Sequence, residues 1–224
     1  MRGSMKANVA DLASAGADIA ALLEELRAEL HIQASKRIAD SEEVEELPPV
    51  VPVSATTVAS VAQRYGLPTV YRDFLTALGQ TGITIVPGPF QALTLYAAPE
   101  LERAQVNFRG TRPGDESFVA PHGWRRSWVV IANDNGDPYF LDVSKPTPTG
   151  DYPVWTAMHG TGTWEPSLAA SSLAQFLRIL RVWVYYVVPH YDPQNPDEPL
   201  DDAHLRRMTS ELNQIDTTTE HWVI

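Results

Sequence analysis

The first regular apolar period in the chain runs from Leu12 to about Ile38. Leu12, Ile19, Leu22, Leu23, Leu26 and Leu30 fall at spacings of three, four and seven, with Glu24, Glu25, Arg27 and Glu29 between them. This predicts one amphipathic helix, whose apolar stripe has to be covered by the main core, by a copy of itself or by a partner. Leu12, Ile19 and Leu26 keep a seven-residue repeat over fewer than three heptads, which gives a coiled coil little support. From Asp40 to Pro49 a run of acids meets a proline pair that cannot continue a helix, so this stretch reads as a linker.

Ser54, Thr56 or Thr57 can cap a short helix in which Val58, Val61, Ala62 and Tyr65 share a face and Gly66 ends it. Pro68 starts another, because proline costs least in a first turn. Tyr71, Phe74, Leu75 and Leu78 form its buried stripe until Gly79. From Ile83 the pattern becomes extended, with Ile83–Val86 and Ala92–Tyr96 on either side of a Pro-Gly-Pro turn. A short helix near Pro99 includes Leu101 and Val106, and a polar, glycine-rich passage from Arg109 to Gly123 reads as a long exposed loop. Trp128–Ala132 and Tyr139–Val143 flank Asn133-Asp134-Asn135-Gly136-Asp137, residue types that tolerate the positive φ of tight hairpins. Val154–Met158 adds a strand, and a last helix starts at Ser171 or Ser172 with Leu173, Phe176, Leu177 and Leu180 on one face. The run Val182–Val188 suits either a continuation of that helix or a strand, and periodicity does not decide for so short a run. The expected fold is α+β: a curled, mainly antiparallel sheet flanked by helices, with an N-terminal helical extension. Residues 1–53 form the extension and linker, 54–190 the main domain, and 191–224 an acidic, proline-containing tail with a short helix near Ala203–Leu212.

Charge divides unevenly along the chain. Residues 1–50 hold ten acids and five bases, 51–190 ten and ten, and 191–224 eight and two, which makes up the net −11. A neutral middle with acidic flanks argues against duplex DNA or an anionic membrane as partner, since both need a basic footprint. A basic protein partner suits the flanks, although acidic ends that only maintain solubility suit them equally well. The chain has no cysteine, which excludes disulfides, thiolate metal sites and cysteine nucleophiles and fits a reducing compartment. No charged leader with an apolar stretch opens the sequence and no apolar run is long enough for a bilayer, so a soluble, cytoplasmic protein is expected. Met1-Arg2-Gly3-Ser4, followed by Met5, reads as an expression-vector remnant and is left out of the fold.

The search for chemistry comes back thin. Histidines at 31, 122, 159, 190, 204 and 221 include no pair at the i, i+4 spacing of a metal-binding helix. There is no nucleophile-elbow motif and no phosphate-cradling glycine loop. Asp134-Asn135-Gly136-Asp137 with Asp142 gathers oxygens as a calcium loop does, yet the flanks are strands and the closing glutamate is missing, so a hairpin turn is the better reading. Trp124, Trp128, Trp155 and Trp164 fit sugar-stacking faces or ordinary core tryptophans equally. No catalytic, cofactor or metal residue is assigned. An enzyme would be revived by a pocket gathering His122, His159 or His190 with carboxylates.

Three stretches resemble the SUKH superfamily, which joins fungal regulators of cell-wall synthesis to bacterial immunity proteins of polymorphic toxin systems. They are Gly66-Leu67-Pro68 with Tyr71-Arg72-Asp73-Phe74-Leu75, then Trp128–Ala132 through Asp134–Asp137 into Tyr139–Asp142, then Pro153-Val154-Trp155 up to His159 with Leu173–Leu177. They occur in the family's order, from about Thr56 to Arg181. Gly79-Gln80-Thr81-Gly82 departs from the asparagine-glycine pair usual after the opening helix, and the acidic flanks lie outside the pattern. The resemblance implies an immunity protein that neutralises a cognate secreted toxin by occluding its active site. The alternative is a regulatory or scaffold protein that recruits a non-toxin partner through this domain or the N-terminal helix, which also offers a route to a homodimer. The expected partner is a basic toxin catalytic domain. The acids offered to it are Glu42, Glu43, Glu45, Glu46, Asp134, Asn135 beside it, Asp197, Glu198, Asp201 and Asp202.

Overall fold

The computed structural model describes residues 9–37, 49–88, 91–106, 108–109, 123–147, 150–190 and 201–218, excepting the side chains of 9–18, 34–37, 86–88, 91 and 190. The expected linker acids and most of the Arg109–Gly123 loop lie outside the described residues. In chain order the elements are α1 (Val9–Arg37), α2 (Ala55–Tyr65), α3 (Thr69–Leu78), β1 (Ile83–Gly88), β2 (Gln91–Leu95) and α4 (Leu101–Ala104). Then follow β3 (Trp128–Asp134), β4 (Asp137–Asp142), β5 (Val154–Thr156), β6 (Ser167–Ala170), α5 (Leu173–Val187) and α6 (Asp202–Ile215).

The helix ends follow the capping chemistry of the sequence. Ser54 Oγ accepts from the Thr57 N–H at 3.0 Å, and Ser172 Oγ from the Gln175 N–H at 3.1 Å. Gly66 closes α2 in the left-handed region, with its N–H on the Ala62 carbonyl. Gly79 closes α3 at φ 90°, where a Cβ would lie 2.6 Å from the Val51 carbonyl oxygen, so only glycine lets the chain entering α2 pass that close. Val182–Val188 resolves as helix: α5 runs to Val187 and passes into a short 3-10 turn.

The six strands form one open antiparallel sheet in the order β1-β2-β3-β4-β5-β6. Alternating side chains send Val129 and Ile131 to one face and Trp128 and Val130 to the other. A bulge between Val130 and Ala132 shifts the β3–β4 register, and Ile131 and Ala132 both join the helix-side core. That core packs Ile85, Leu93, Leu95, Leu141 and Val154 against α2, α3 and α5. On the opposite face Trp124 lies 4.6 Å from Phe108, 5.2 Å from Trp128 and 4.9 Å from Phe140, centroid to centroid, making a second, aromatic core. Trp124 and Trp128 are therefore buried among other rings, while Trp155 and Trp164 are half-buried at its margin.

Two polar side chains complete this framework. Strand β2 reaches β3 only as far as Ala132, leaving Val130 without a strand partner on that side. Gln105, buried after α4, donates to the Val130 carbonyl at 2.8 Å and accepts from the Val130 N–H at 3.0 Å, so one amide replaces the missing strand. Asp142 accepts from Trp128 Nε1 at 3.3 Å and from Ser144 Oγ at 2.6 Å. Burial works against its ionisation, but the hydrogen bonds from Ser144, Ser127 and Trp128 outweigh it and hold the carboxyl below its ordinary range.

Helix α1 docks on the rest of the protein. Ile19, Leu22, Leu23, Leu26 and Leu30 are buried against α3 and α5, and Arg27 donates to the Leu78 carbonyl at the end of α3 at 2.7 Å. The apolar stripe is thus covered by the protein's own core. Helix α6 docks on α5 from another side: Met208 is buried, Gln175 Nε2 donates to the Ile215 carbonyl at 2.8 Å, and Asp216 accepts from the Ser171 N–H at 2.6 Å.

Two measurements check these assignments. Leu26→Ala should lower unfolding stability by about 2–5 kcal/mol, the cost of a core cavity; a change near zero in urea titration would mean that α1 is not part of the core. Gln105→Leu should cost about 2–4 kcal/mol, because it leaves the N–H and carbonyl of Val130 buried and unpaired.

Candidate functional site

The β3–β4 hairpin presents the most sharply constructed exposed feature among the described residues. Asp134 pairs with Asp137, and the two-residue loop between them is Asn135 at φ 46° and Gly136 at φ 110°. Positive φ at both positions is what a twist-matched hairpin turn requires. Asn133 Oδ1 accepts from the Gly136 N–H at 2.9 Å, which fixes the turn from inside. Asp137 reaches across to the segment after β5: its Oδ1 accepts from the His159 N–H at 2.6 Å and lies 2.6 Å from His159 Nδ1. The imidazole also packs over the turn, 3.3 Å from where a Cβ on Gly136 would lie. The clip holds an exposed loop bearing Met158, at 69% the most exposed of the large apolar residues described.

Asp134 and Asp137 repel one another at this tip. Burial, with repulsion from Asp137 added, raises the Asp134 carboxyl above its ordinary range against the lowering effect of the Ala92 N–H. Its Oδ1 is shielded from solvent and has no hydrogen-bond partner. Burial, then Asp134 and Asp137, push the neighbouring Tyr139 hydroxyl far up.

The expected partner residues that are described fall in two places. Asp134 and Asn135 share the hairpin tip. Asp201 and Asp202 open α6, where Asp201 accepts from the N–H groups of Ala203 and His204 at 2.7 and 2.9 Å and meets His204 Nδ1 at 2.5 Å. The backbone bond from His204, helped by its side chain, lowers the Asp201 carboxyl to about 2, so this acid is first of all a helix cap. No hydrogen bond or ion pair joins it to the hairpin among the described residues. Glu42, Glu43, Glu45, Glu46, Asp197 and Glu198 lie outside the described residues. Sequence reading missed the His159–Asp137 clip, because the two residues are far apart in the chain and no spacing rule connects them.

His159 meets one carboxylate at an exposed position, and His122 and the His190 side chain lie outside the described residues. Among the described residues no group of three or more His, Asp or Glu could hold a metal ion. No described helix is long and apolar enough to cross a membrane.

An open antiparallel sheet with helices on one face and an aromatic core on the other defines an α+β protein whose exposed features are loops and helix surfaces. The family model of the SMI1 / KNR4 family (SUKH-1) matches residues 52–179, more than half of the chain, and the chain belongs to that family. The family is in general non-catalytic. A comparison with curated proteins returns no match. Helices α1 and α6 both fall outside the matched span.

The raised Asp134 carboxyl gives a signed test. A carboxyl raised on folding penalises the folded state above its ordinary range, and the penalty vanishes as pH falls below the folded value. Asp134→Asn should therefore raise the unfolding temperature at pH 7 and leave it nearly unchanged at pH 3, as followed by circular dichroism. Equal effects at both pH values would show that Asp134 carries no electrostatic penalty.

Proposed function

We propose that this chain is a non-catalytic immunity protein that binds a cognate secreted bacterial toxin and occludes its active site. Membership of the family carries the reading, since bacterial members of the SUKH superfamily are mostly immunity proteins. The local geometry supports it. The hairpin tip carries two carboxylates, Asp134 raised by burial and Asp137 clipped to His159 next to the exposed Met158, and the sequence adds acidic runs at Glu42–Glu46 and Asp197–Asp202. Toxin domains that attack nucleic acids or nucleotides are often basic, and opposed charge accelerates encounter before apolar anchors determine the lifetime of the complex. The partner is thus a basic protein domain rather than nucleic acid or membrane, and the site of action is the cytoplasm.

Where a large secreted protein is encoded beside this chain, its C-terminal domain is the partner for the test, and the lack of such a neighbour counts against the reading. Association is followed by stopped flow, for the native chain and for a variant carrying Glu42, Glu43, Glu45 and Glu46→Gln with Asp134, Asp197 and Asp202→Asn. Asp201 stays because it caps α6. The variant should associate roughly tenfold more slowly at low salt and with a shallower salt dependence. No binding by the native chain, or rates equal in both proteins, would remove this reading.

A further inference from the structure

Helices α1, α5 and α6 enclose an open groove of about 550 Å³. Leu22, Val182 and Ile215 give it apolar walls, one from each helix. Two of the three helices lie outside the family match, so the groove is a feature of this chain rather than of the matched domain. None of its lining residues belongs to the β3–β4 hairpin, and its reading does not rest on toxin binding.

The charges of the groove do not balance. Glu25, Glu29 and Glu211 line it against Arg178 and Arg181, which leaves one negative charge in excess. Arg181 is shared on the α1 side, paired with Glu25 and 4.0 Å from Glu29. Glu211, on the α6 wall, makes no ion pair among the described residues. Its Oε1 accepts from the Tyr186 hydroxyl at 2.6 Å, and that bond pushes the hydroxyl up to about 12. The proton therefore stays on the tyrosine at neutral pH and the charge on the glutamate. Next to Tyr186, with ring centroids 4.9 Å apart, Tyr185 is 49% exposed in a protein that buries most of its large rings.

We propose that the groove takes an arginine side chain from an apolar stretch of a protein partner, with the guanidinium on Glu211 and over the Tyr185 ring and the flanking apolar residues on Leu22, Val182 and Ile215. A guanidinium carries the single positive charge that the groove lacks. Its fork suits a carboxylate whose second oxygen takes no hydrogen bond among the described residues. Its plane also stacks on a tyrosine face, which a compact ammonium does not do. An open groove leaves room for main chain to continue past an anchored side chain, and this favours a peptide over a small free cation.

NMR titration of the full chain tests this, with the peptide acetyl-Leu-Arg-Leu-amide, the same peptide carrying neutral citrulline for arginine, and butylguanidinium as probes. The arginine peptide should shift the signals of Tyr185, Glu211 and Ile215 and bind on the order of tenfold more tightly than the citrulline peptide. Glu211→Gln, whose amide oxygen still accepts from Tyr186, should abolish that preference for charge. Tyr185→Ala should weaken binding of the arginine peptide about fivefold. Equal binding of the two peptides overturns the proposal, and so does a charge preference that survives Glu211→Gln or an unchanged affinity in the Tyr185 variant. Shifts confined to the Asp134–Asp137 hairpin overturn it in favour of the acidic tip. Butylguanidinium binding as tightly as the arginine peptide overturns it in favour of a small free cation.

Discussion

A helix that is apolar around most of its circumference has to be covered on every side that water would otherwise reach. Helix α5 is that helix. Leu173, Phe176, Leu177, Ile179, Leu180, Trp183, Val184 and Tyr186 are all buried along it, more than one stripe accommodates. The sheet covers one side, α1 a second and α6 a third. The two flanking helices are therefore required by α5, and their apolar residues are spaced to meet it: Ile19, Leu22, Leu23 and Leu26 on α1, Met208, Leu212 and Ile215 on α6. Polar contacts then fix the angles. Arg181 pairs with Glu25 on the α1 side, and Tyr186 donates to Glu211 on the α6 side at 2.6 Å. The half-exposed Arg181–Glu25 pair sets orientation more than it stabilises, since water screens it.

The same need explains what could be read from the sequence. Helices α2, α3 and α5 were legible because their stripes and caps are local: Ser54 and Ser172 lie where the first turn needs an acceptor, and Gly66 where the chain turns left-handed. The Asn135-Gly136 hairpin was legible for the same reason. Val182–Val188 was ambiguous because β-branched and aromatic residues suit a strand as well as a helix buried on all sides. Tertiary burial decides that case, and no local rule contains it. Strand β6 was missed outright. Ser167-Leu168-Ala169-Ala170 has no β-branched or aromatic residue, and it is a strand only because β5 offers it a partner. Gln105 carries no signal at all, since its role is set by a strand that ends early in another part of the chain.

Less of the candidate site was legible than of the fold, for a physical reason. A charge in sequence says nothing about what it already serves in the folded chain. Asp201 looked like one acid of a surface cluster, and it is committed to the first turn of α6. Asp137 looked like part of the turn, and it holds the loop after β5 through His159. Asp134, beside it, keeps a shielded oxygen without a partner. Of the described acids proposed for recognition, Asp134 is thus the one whose local electrostatics a positively charged partner would relieve most.

That distinction bears on how a surface carboxylate contributes to selective binding. A carboxylate already bonded to its own backbone adds to the long-range field but gains little from a new cation, so it affects encounter more than lifetime. A carboxylate held in place, partly desolvated and repelled by its neighbour gains more from the same cation, because its desolvation has already been met by the fold. The hairpin supplies both kinds within one turn of chain, and the His159 clip keeps them in fixed relation to Met158. The aromatic core behind the sheet anchors the strands that carry the turn, with Trp128 and Phe140 stacked 4.6 Å apart in adjacent strands. The strands that carry the turn are packed on both faces, with Trp128 and Phe140 in the aromatic core and Tyr139 against Phe176 of α5 at 5.3 Å.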